Sequence, residues 1–219
     1  TAHPHELDLP GGSGRTADRR NIVRGIGWGV SMKNLMYSEG FDDYSTARCT
    51  LTNGSVELKF ATSEVGQGFV TLAPQIARSV LGVDDVTYDT IDTQIGSAGS
   101  TSASRQTFVS GKAAMLSGLA LRDMVLRHGN VDANAKIALD GSFLTLADAG
   151  GGTLRIALAD MPVNDYGYVF MAEETYDPPT SPLDEKGQGV PYAVFGYGAQ
   201  IVELSVDAAL GRVRLDKIT

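Results

Sequence analysis

Two short stretches concentrate the residue types that grip small, oxygen-rich ligands. Residues 63 to 82, SEVGQGFVTLAPQIARSVLG, set a Gly66-Gln67-Gly68 turn between a strand-like run and a helix-like run. Residues 96 to 114, GSAGSTSASRQTFVSGKAA, repeat the arrangement with a longer loop. Residues 96 to 107 alone hold four serines, two threonines, two glycines, one arginine and one glutamine. That is a set of hydroxyl, amide and guanidinium donors with almost no bulk, suited to a phosphate, a pyrophosphate or a heteroatom-rich ring. A helix start adds free backbone N–H groups and the positive end of the helix dipole, and glycine lets a ligand approach the backbone closely. Taken singly, each stretch also suits a surface loop with a helix cap. In tandem they point to a binding site.

Other chemistries fit poorly. A P-loop ending at Gly111-Lys112 needs glycine at position 106 and Ser or Thr at 113, where the chain has Gln106 and Ala113. GIGWG at 25 to 29 lies within a strand pattern and opens no helix, unlike a dinucleotide fingerprint. There is no G-x-S-x-G, His3 and His5 fall in a polar N-terminal stretch, and His128 belongs at a helix end in a structural role. Glu64 and Asp92 flank the two loops and are expected as capping or solvated carboxylates. Glu173 and Glu174 are adjacent on a strand and so face opposite sides. Cys49 is the only cysteine, so these residues supply no disulfide and no zinc or iron–sulfur cage. It is expected as a buried core thiol.

The elements that must position the two loops are legible from periodicity and turn residues. Residues 1 to 20 form a tail or linker, and 21 to 219 a domain. NIVRGIGWGVSMKNLMYSEG mixes β-formers with spaced glycines and predicts a twisted strand with close backbone approaches. Asn53-Gly54 predicts a hairpin turn. FVTLAPQIARSVL predicts a helix burying Phe69, Leu72, Ala73, Ile76 and Val80, with Pro74 in its first turn and Gly82 as its stop. DVTYDTIDT predicts a short strand, and RQTFVSGKAAMLSGLALRDMVLRHG a second helix that closes on Arg127, His128 and Gly129. The second half predicts short strands, a Gly150-Gly151-Gly152 turn and a short helix within DANAKIALDGSFLTLADAGGGTLRIALADM, a strand at YGYVFMAEETYD, a long loop at 178 to 191, and a hairpin over AALG. Two strand–loop–helix units without strict alternation make the class α+β with mixed sheets. The terminal strand pattern, with Val213, Leu215 and Ile218 alternating but for one slip, suits a strand paired in a sheet or a piece of something longer.

At 42% hydrophobic residues and 219 positions the chain can bury a sizeable core. Its 26 glycines exceed the ~7% of an average protein. A net charge of −8 disfavours nucleic acid, which needs a basic footprint. The absence of a long apolar run or a signal-like segment leads to the expectation of a cytoplasmic protein with no membrane partner.

On these residues the chain resembles the molybdenum hydroxylases, the family of xanthine dehydrogenase and aldehyde oxidase. The likeness rests on EVGQG with its following T…QIA helix, on GSAGSTSASRQT…G.A, and on FGYGAQIVELSVDAALGRVRL. SEGFDDYSTARCTL and PPTSPLDEKGQG look most like the large molybdenum subunit of bacterial purine-oxidising members. The resemblance spans about 21 to 219. It implies a molybdopterin cofactor, in bacteria usually the cytosine dinucleotide form. It also implies hydroxylation of a carbon beside a ring nitrogen with water as oxygen source, and electron exit through 2Fe-2S and FAD groups in partner chains or domains. Carried over residue by residue, Gly66, Gln67 and Gly68 lie against the cofactor, with Gln67 donating to it or to a metal ligand. Thr101, Ser102, Ser104, Arg105 and Gln106 bond pterin and phosphate oxygens, and the backbone of Ala103 lies nearest the molybdenum. No catalytic residue is assigned, because the family's glutamate base lies in a segment beyond the last hairpin. The remainder of the molybdenum subunit is therefore a partner, and a lobe of this kind exposes apolar surface, with Gly25, Gly27 and Trp28 as candidates. Aldehyde substrates, a non-catalytic relative, and an unrelated phosphate-ester binder are the competing readings.

Overall fold

The computed structural model describes residues 21 to 36, 43 to 89, 92 to 102 and 104 to 219. The expected tail at 1 to 20 and the position of Ala103 lie outside the described residues. The fold is α+β, with two helices and three sheets among the described residues, divided between two compact units.

The larger unit, 35 to 194, holds both loops. Its main sheet runs β4(Val86–Asp89), β3(Val56–Lys59), β2(Ser45–Leu51), β8(Phe170–Tyr176). Every residue of β2 is buried, as befits a central strand covered on both faces. The hairpin from β2 to β3 turns at Asn53-Gly54 as its sequence requires, with Gly54 at φ +109°. β3 and β4 pair in parallel, Val56 opposite Val86 through Lys59 opposite Asp89, and α1(Phe69–Leu81) is the crossover between them. α2(Arg105–His128) follows β4 and packs on β8, β2 and α1. A second sheet in this unit is the meander β5(Lys136–Asp140), β6(Phe143–Ala147), β7(Thr153–Ala157).

α1 begins and ends where expected, with Gly82 at φ +76° closing it onto the Arg78 carbonyl. Its buried face differs from the periodicity reading. Phe69, Ala73, Pro74, Ala77 and Leu81 are buried, while Leu72, Ile76 and Val80 are half-buried at the edge of the core. Ile76 and Val80 instead point at Gly111 and Gly118 of α2, where a Cβ would come within 3.0 Å and 2.7 Å of them. Pro74 sits inside the helix, past the first turn, and so removes one ladder N–H.

The smaller unit contains β1(Ile22–Asn34), β9(Phe195–Asp207) and β10(Arg212–Ile218), an antiparallel sheet in the order β1-β9-β10. The slip foreseen near the terminus is a β-bulge between Leu215 and Lys217. The expectation of close backbone approaches along β1 is corrected: a Cβ at Gly27 or Gly29 would meet nothing within 4 Å. Both faces of this sheet are apolar and open. Trp28 (72% exposed), Val30, Met32, Tyr197 and Ile201 share one face; Val23, Val213, Leu215 and Ile218 share the other. Among the described residues no helix is long and apolar enough to cross a membrane.

Candidate cofactor site

Parallel pairing explains why the two loops meet. Because β3 and β4 are parallel neighbours, both chains leave the sheet at the same edge, and each turns into a helix there. The carboxyl edge of parallel strands is the usual place for a ligand in such sheets.

The first loop, 61 to 68, is pinned at both ends by three rings. Phe60 follows β3, Phe69 opens α1, and Tyr88 lies on β4. Phe60 and Phe69 meet edge-on at 5.3 Å, Phe60 stacks on Tyr88 at 5.8 Å, and Phe69 meets Tyr88 at 6.0 Å. Each such pair contributes ~0.5–1.5 kcal/mol beyond its buried area. The Tyr88 hydroxyl also bonds the buried Thr62 hydroxyl. Burial, with the negative Glu64 and Asp89 nearby, raises the Tyr88 phenol above its ordinary value.

The helix start at α1 is already filled by an anion, the chain's own Glu64. One carboxylate oxygen accepts from Gly66 N (2.8 Å) and Gly68 N (3.0 Å), the other from Val70 N (3.1 Å). These donors, Gly68 first and then Val70, hold the Glu64 pKa below its ordinary value. Glu64 is thus the cap, as its position before the helix suggested. Gly66 and Gly68 adopt φ +96° and +86°, and the space where a Cβ would stand is empty to 4 Å at both. The outer side of the turn is therefore bare backbone.

The second loop is built around Arg105, which is fully buried. All five of its N–H groups are engaged within the chain. Nε donates to Asp43 Oδ1; Nη1 donates to Ala98 O (2.8 Å) and Ser100 O (3.0 Å); Nη2 donates to Asp43 O (2.6 Å) and Tyr44 O (3.2 Å). The 98 to 100 carbonyls are thereby drawn inward over the guanidinium, and Gly99, at φ +61°, lies where any Cβ would strike it. Upstream, Thr46 N holds Ser97 O (2.9 Å), and a Cβ at Gly96 would press to 2.8 Å of the Thr46 hydroxyl. Arg105 therefore has no donor left for a ligand. Ser104 caps α2 without a side-chain bond, and the hydroxyls of Ser102 and Ser104 make no hydrogen bond among the described residues.

Three side chains tie the loops to each other. Gln67 Nε2 donates to Gln106 Oε1 (2.6 Å) and to Ser63 O (3.1 Å), and Gln67 Oε1 accepts from Val65 N (2.7 Å). Gln106 Nε2 donates to Thr101 Oγ1 (2.7 Å) and Ser63 O (3.4 Å), and Thr101 Oγ1 donates to Ser63 O (3.1 Å). Of the residues singled out in the sequence, Gly66, Gln67, Gly68, Thr101, Ser102, Ser104, Arg105 and Gln106 all gather at this edge. Glu64 was visible only as a capping candidate, and Asp43 stood within SEGFDDYSTARCTL without being singled out.

The remaining candidates are structural. Asp92 accepts from Gln94 N (2.8 Å) in a local turn. His128 lies edge-on to Phe170 at 5.5 Å. Glu173 pairs with Arg48 at 2.7 Å. Cys49 is buried in the core, and burial pushes its thiol up to about 12. Among the described residues no group of three or more His, Cys, Asp or Glu side chains is placed to hold a metal ion.

The geometry thus defines a two-loop cradle of glycine backbone, hydroxyls and amides beside the end of a parallel strand pair. Residues 10 to 219 match the family model of the molybdopterin cofactor-binding domain. The chain belongs to that family, and the resemblance to the molybdenum hydroxylases stands. No characterised protein sequence matches the chain. Among solved structures it is similar to the aldehyde oxidoreductase of Desulfovibrio desulfuricans, at 24% identity and a TM-score of 0.64, over 93% of this chain and 20% of that one. It is similar as well to the aldehyde oxidoreductase of Desulfovibrio gigas (20%, TM-score 0.66, 94% of this chain and 20% of that one). Quinoline 2-oxidoreductase of Pseudomonas putida is a third, at 19% and TM-score 0.63, over 90% of this chain and 26% of that one. The chain therefore spans about a fifth to a quarter of those structures' chains.

Proposed function

We propose that this chain is part of the molybdenum subunit of a cytoplasmic xanthine dehydrogenase-like hydroxylase, and that its two loops hold the pterin cofactor. The observation that supports this most is the joining of the Gly66–Gly68 turn to the 97 to 106 loop through Gln67, Gln106 and Thr101. The residues fit such a group. Bare glycine backbone at Gly66 and Gly68 admits a flat, heteroatom-rich ring, and the unengaged hydroxyls of Ser102 and Ser104 at the start of α2 suit pterin or phosphate oxygens. When bound, the cofactor supplies the two-electron oxidation of a carbon beside a ring nitrogen, with water as oxygen source. What this chain contributes is grip and orientation. Gly66 and Gly68 allow close approach, Gln67 turns the outer edge of its amide to the open side, Ser102 and Ser104 present hydroxyls, Thr101 braces the two loops, and the backbone at Ala103 is assigned nearest the metal. Arg105 acts through the loop that it shapes.

The cofactor is assigned the cytosine dinucleotide form. Partner chains or domains would hold the 2Fe-2S and FAD groups that accept the electrons, and the remainder of the subunit would cover the two apolar faces of β1-β9-β10. Purines are the first substrate class to test. Aldehydes are the second, because two of the similar structures are aldehyde oxidoreductases. Metal and pterin analysis of the native enzyme tests the reading: molybdenum with a cytidine-bearing pterin supports it, and a native protein without molybdenum overturns it. Turnover on hypoxanthine against benzaldehyde then separates the substrate classes.

A further inference from the structure

The amide network at the loop junction has only one possible polarity. Amide oxygen and nitrogen are easily interchanged in a structure, so their assignment needs an anchor. Here there are two. Val65 N–H can only donate, so the Gln67 atom facing it is the oxygen. Ser63 C=O can only accept, so the Gln67 and Gln106 atoms facing it are nitrogens. Gln106 Oε1 therefore meets Gln67 Nε2, and Gln106 Nε2 meets the Thr101 hydroxyl, which passes its own proton to Ser63 O. The Gln106 amide is fully committed, and the residue is only 3% exposed. Gln67 is exposed at the turn, with Oε1 accepting from Val65 N and both Nε2 hydrogens committed, one to Gln106 and one to Ser63 O.

We propose that Gln106 is a positioning residue that fixes the orientation of the Gln67 amide, and through it the Gly66–Gly68 turn, without touching the cofactor. The proposal rests on the cofactor-holding reading above. Removing the Gln106 acceptor leaves Gln67 with Ser63 O alone as its acceptor, and the amide swings. The turn then presents its amide and bare backbone in a shifted position, and cofactor loading falls although the fold survives. A residue that bonded the cofactor itself would act additively with Gln67. A positioning residue acts through Gln67 and adds nothing once Gln67 is gone.

The test uses the full native enzyme carrying Gln67→Met, Gln106→Met, Gln106→Leu and the Gln67→Met/Gln106→Met pair. Three quantities are read: molybdenum per polypeptide, thermal midpoint, and kcat and KM per bound molybdenum. Both Gln106 replacements are apolar and close in size, so the buried site stays filled. The expected result is that each single variant loses molybdenum by about tenfold, the effect of one or two well-made hydrogen bonds. The midpoint falls by only a few degrees, the loss expected of one buried amide and too little to unfold the chain under assay conditions, and the double variant is no lower in molybdenum than Gln67→Met. Loss at Gln67→Met but none at either Gln106 variant overturns the proposal while leaving the cofactor reading intact. So do effects that multiply in the double variant, or molybdenum losses that merely follow falling midpoints. A parent enzyme without molybdenum removes the cofactor reading, and the proposal with it.

Discussion

Arg105→Met is the sharpest perturbation of the second loop. The guanidinium is fully buried, ion-paired with an Asp43 side chain that is itself 10% exposed, and bonded to four backbone carbonyls. Methionine fills a similar length but leaves the carboxylate and those carbonyls without their donors. Breaking a buried pair by removing one partner costs ~3–5 kcal/mol. The carbonyls add less than their full ~0.5–1.5 kcal/mol each, because water can enter the vacated space. The working figure is ~4 kcal/mol, a large share of the ~5–15 kcal/mol that keeps a domain folded. For a unit of this size each kcal/mol moves the thermal midpoint by ~2–4 °C, so the expected fall is ~8–16 °C. Circular dichroism during heating reads it. Combining Arg105→Met with Asp43→Leu should recover much of the loss, since removing both charges together spares the stranded carboxylate. A fall below ~3 °C for the single variant would refute the reasoning, because it would mean that the five bonds behave like a solvated surface pair worth ~0–1 kcal/mol.

Three further outcomes are expected. Glu64 has its folded pKa lowered by the N–H groups of Gly68 and Val70, so its capping is complete above the ordinary carboxylate range and is lost as pH falls through the depressed value. The protection of the Gly68 and Val70 amides from exchange, taken relative to the intrinsic rate at each pH, should fall in acid, and Glu64→Gln should abolish that acid step. Cys49, with its thiol pushed up to about 12, should resist alkylating reagents at pH 8 until the chain unfolds, so labelling and unfolding in urea should trace one curve. Gly118→Ala places a Cβ 2.7 Å from Val80 Cγ2 across the α1–α2 contact; the clash, ~1–3 kcal/mol, should outweigh the ~1 kcal/mol gained in helix propensity, and a rise in thermal midpoint would contradict it.

What the sequence made legible is what local physics dictates. The limits of α1 and α2, the Asn53-Gly54 hairpin and the terminal bulge all announce themselves through turn residues and periodicity. The buried face of α1 was only half legible, because that helix has two neighbours and its Ile76 and Val80 serve α2. The gathering of the loop residues was legible as a likeness between two segments. The cause, parallel pairing of β3 with β4, was not, since register between strands separated by a helix leaves no local mark. Nor was the inward turn of Arg105. An arginine in a serine-rich loop suggests a ligand donor, and only the arrival of Asp43, 62 positions earlier, reveals a structural guanidinium. The open space over Gly27 and Gly29 escaped the same kind of reading, because glycine in a strand signals close approach and bare surface alike.

The placement of β8 sets an order on synthesis. β2, the strand whose Thr46 anchors the second loop, completes its ladder only by pairing with β8, as Arg48 pairs with Glu173 across 125 positions. α2 lies against that same strand. As the chain leaves the ribosome, the Asn53 hairpin and both helices can form from neighbouring residues, but the floor beneath the cradle is unfinished until residues 170 to 176 emerge. Pairings of such long range form slowly and late. The nascent chain therefore has no finished cradle until that strand is made, and the two loops gain their floor only late in synthesis.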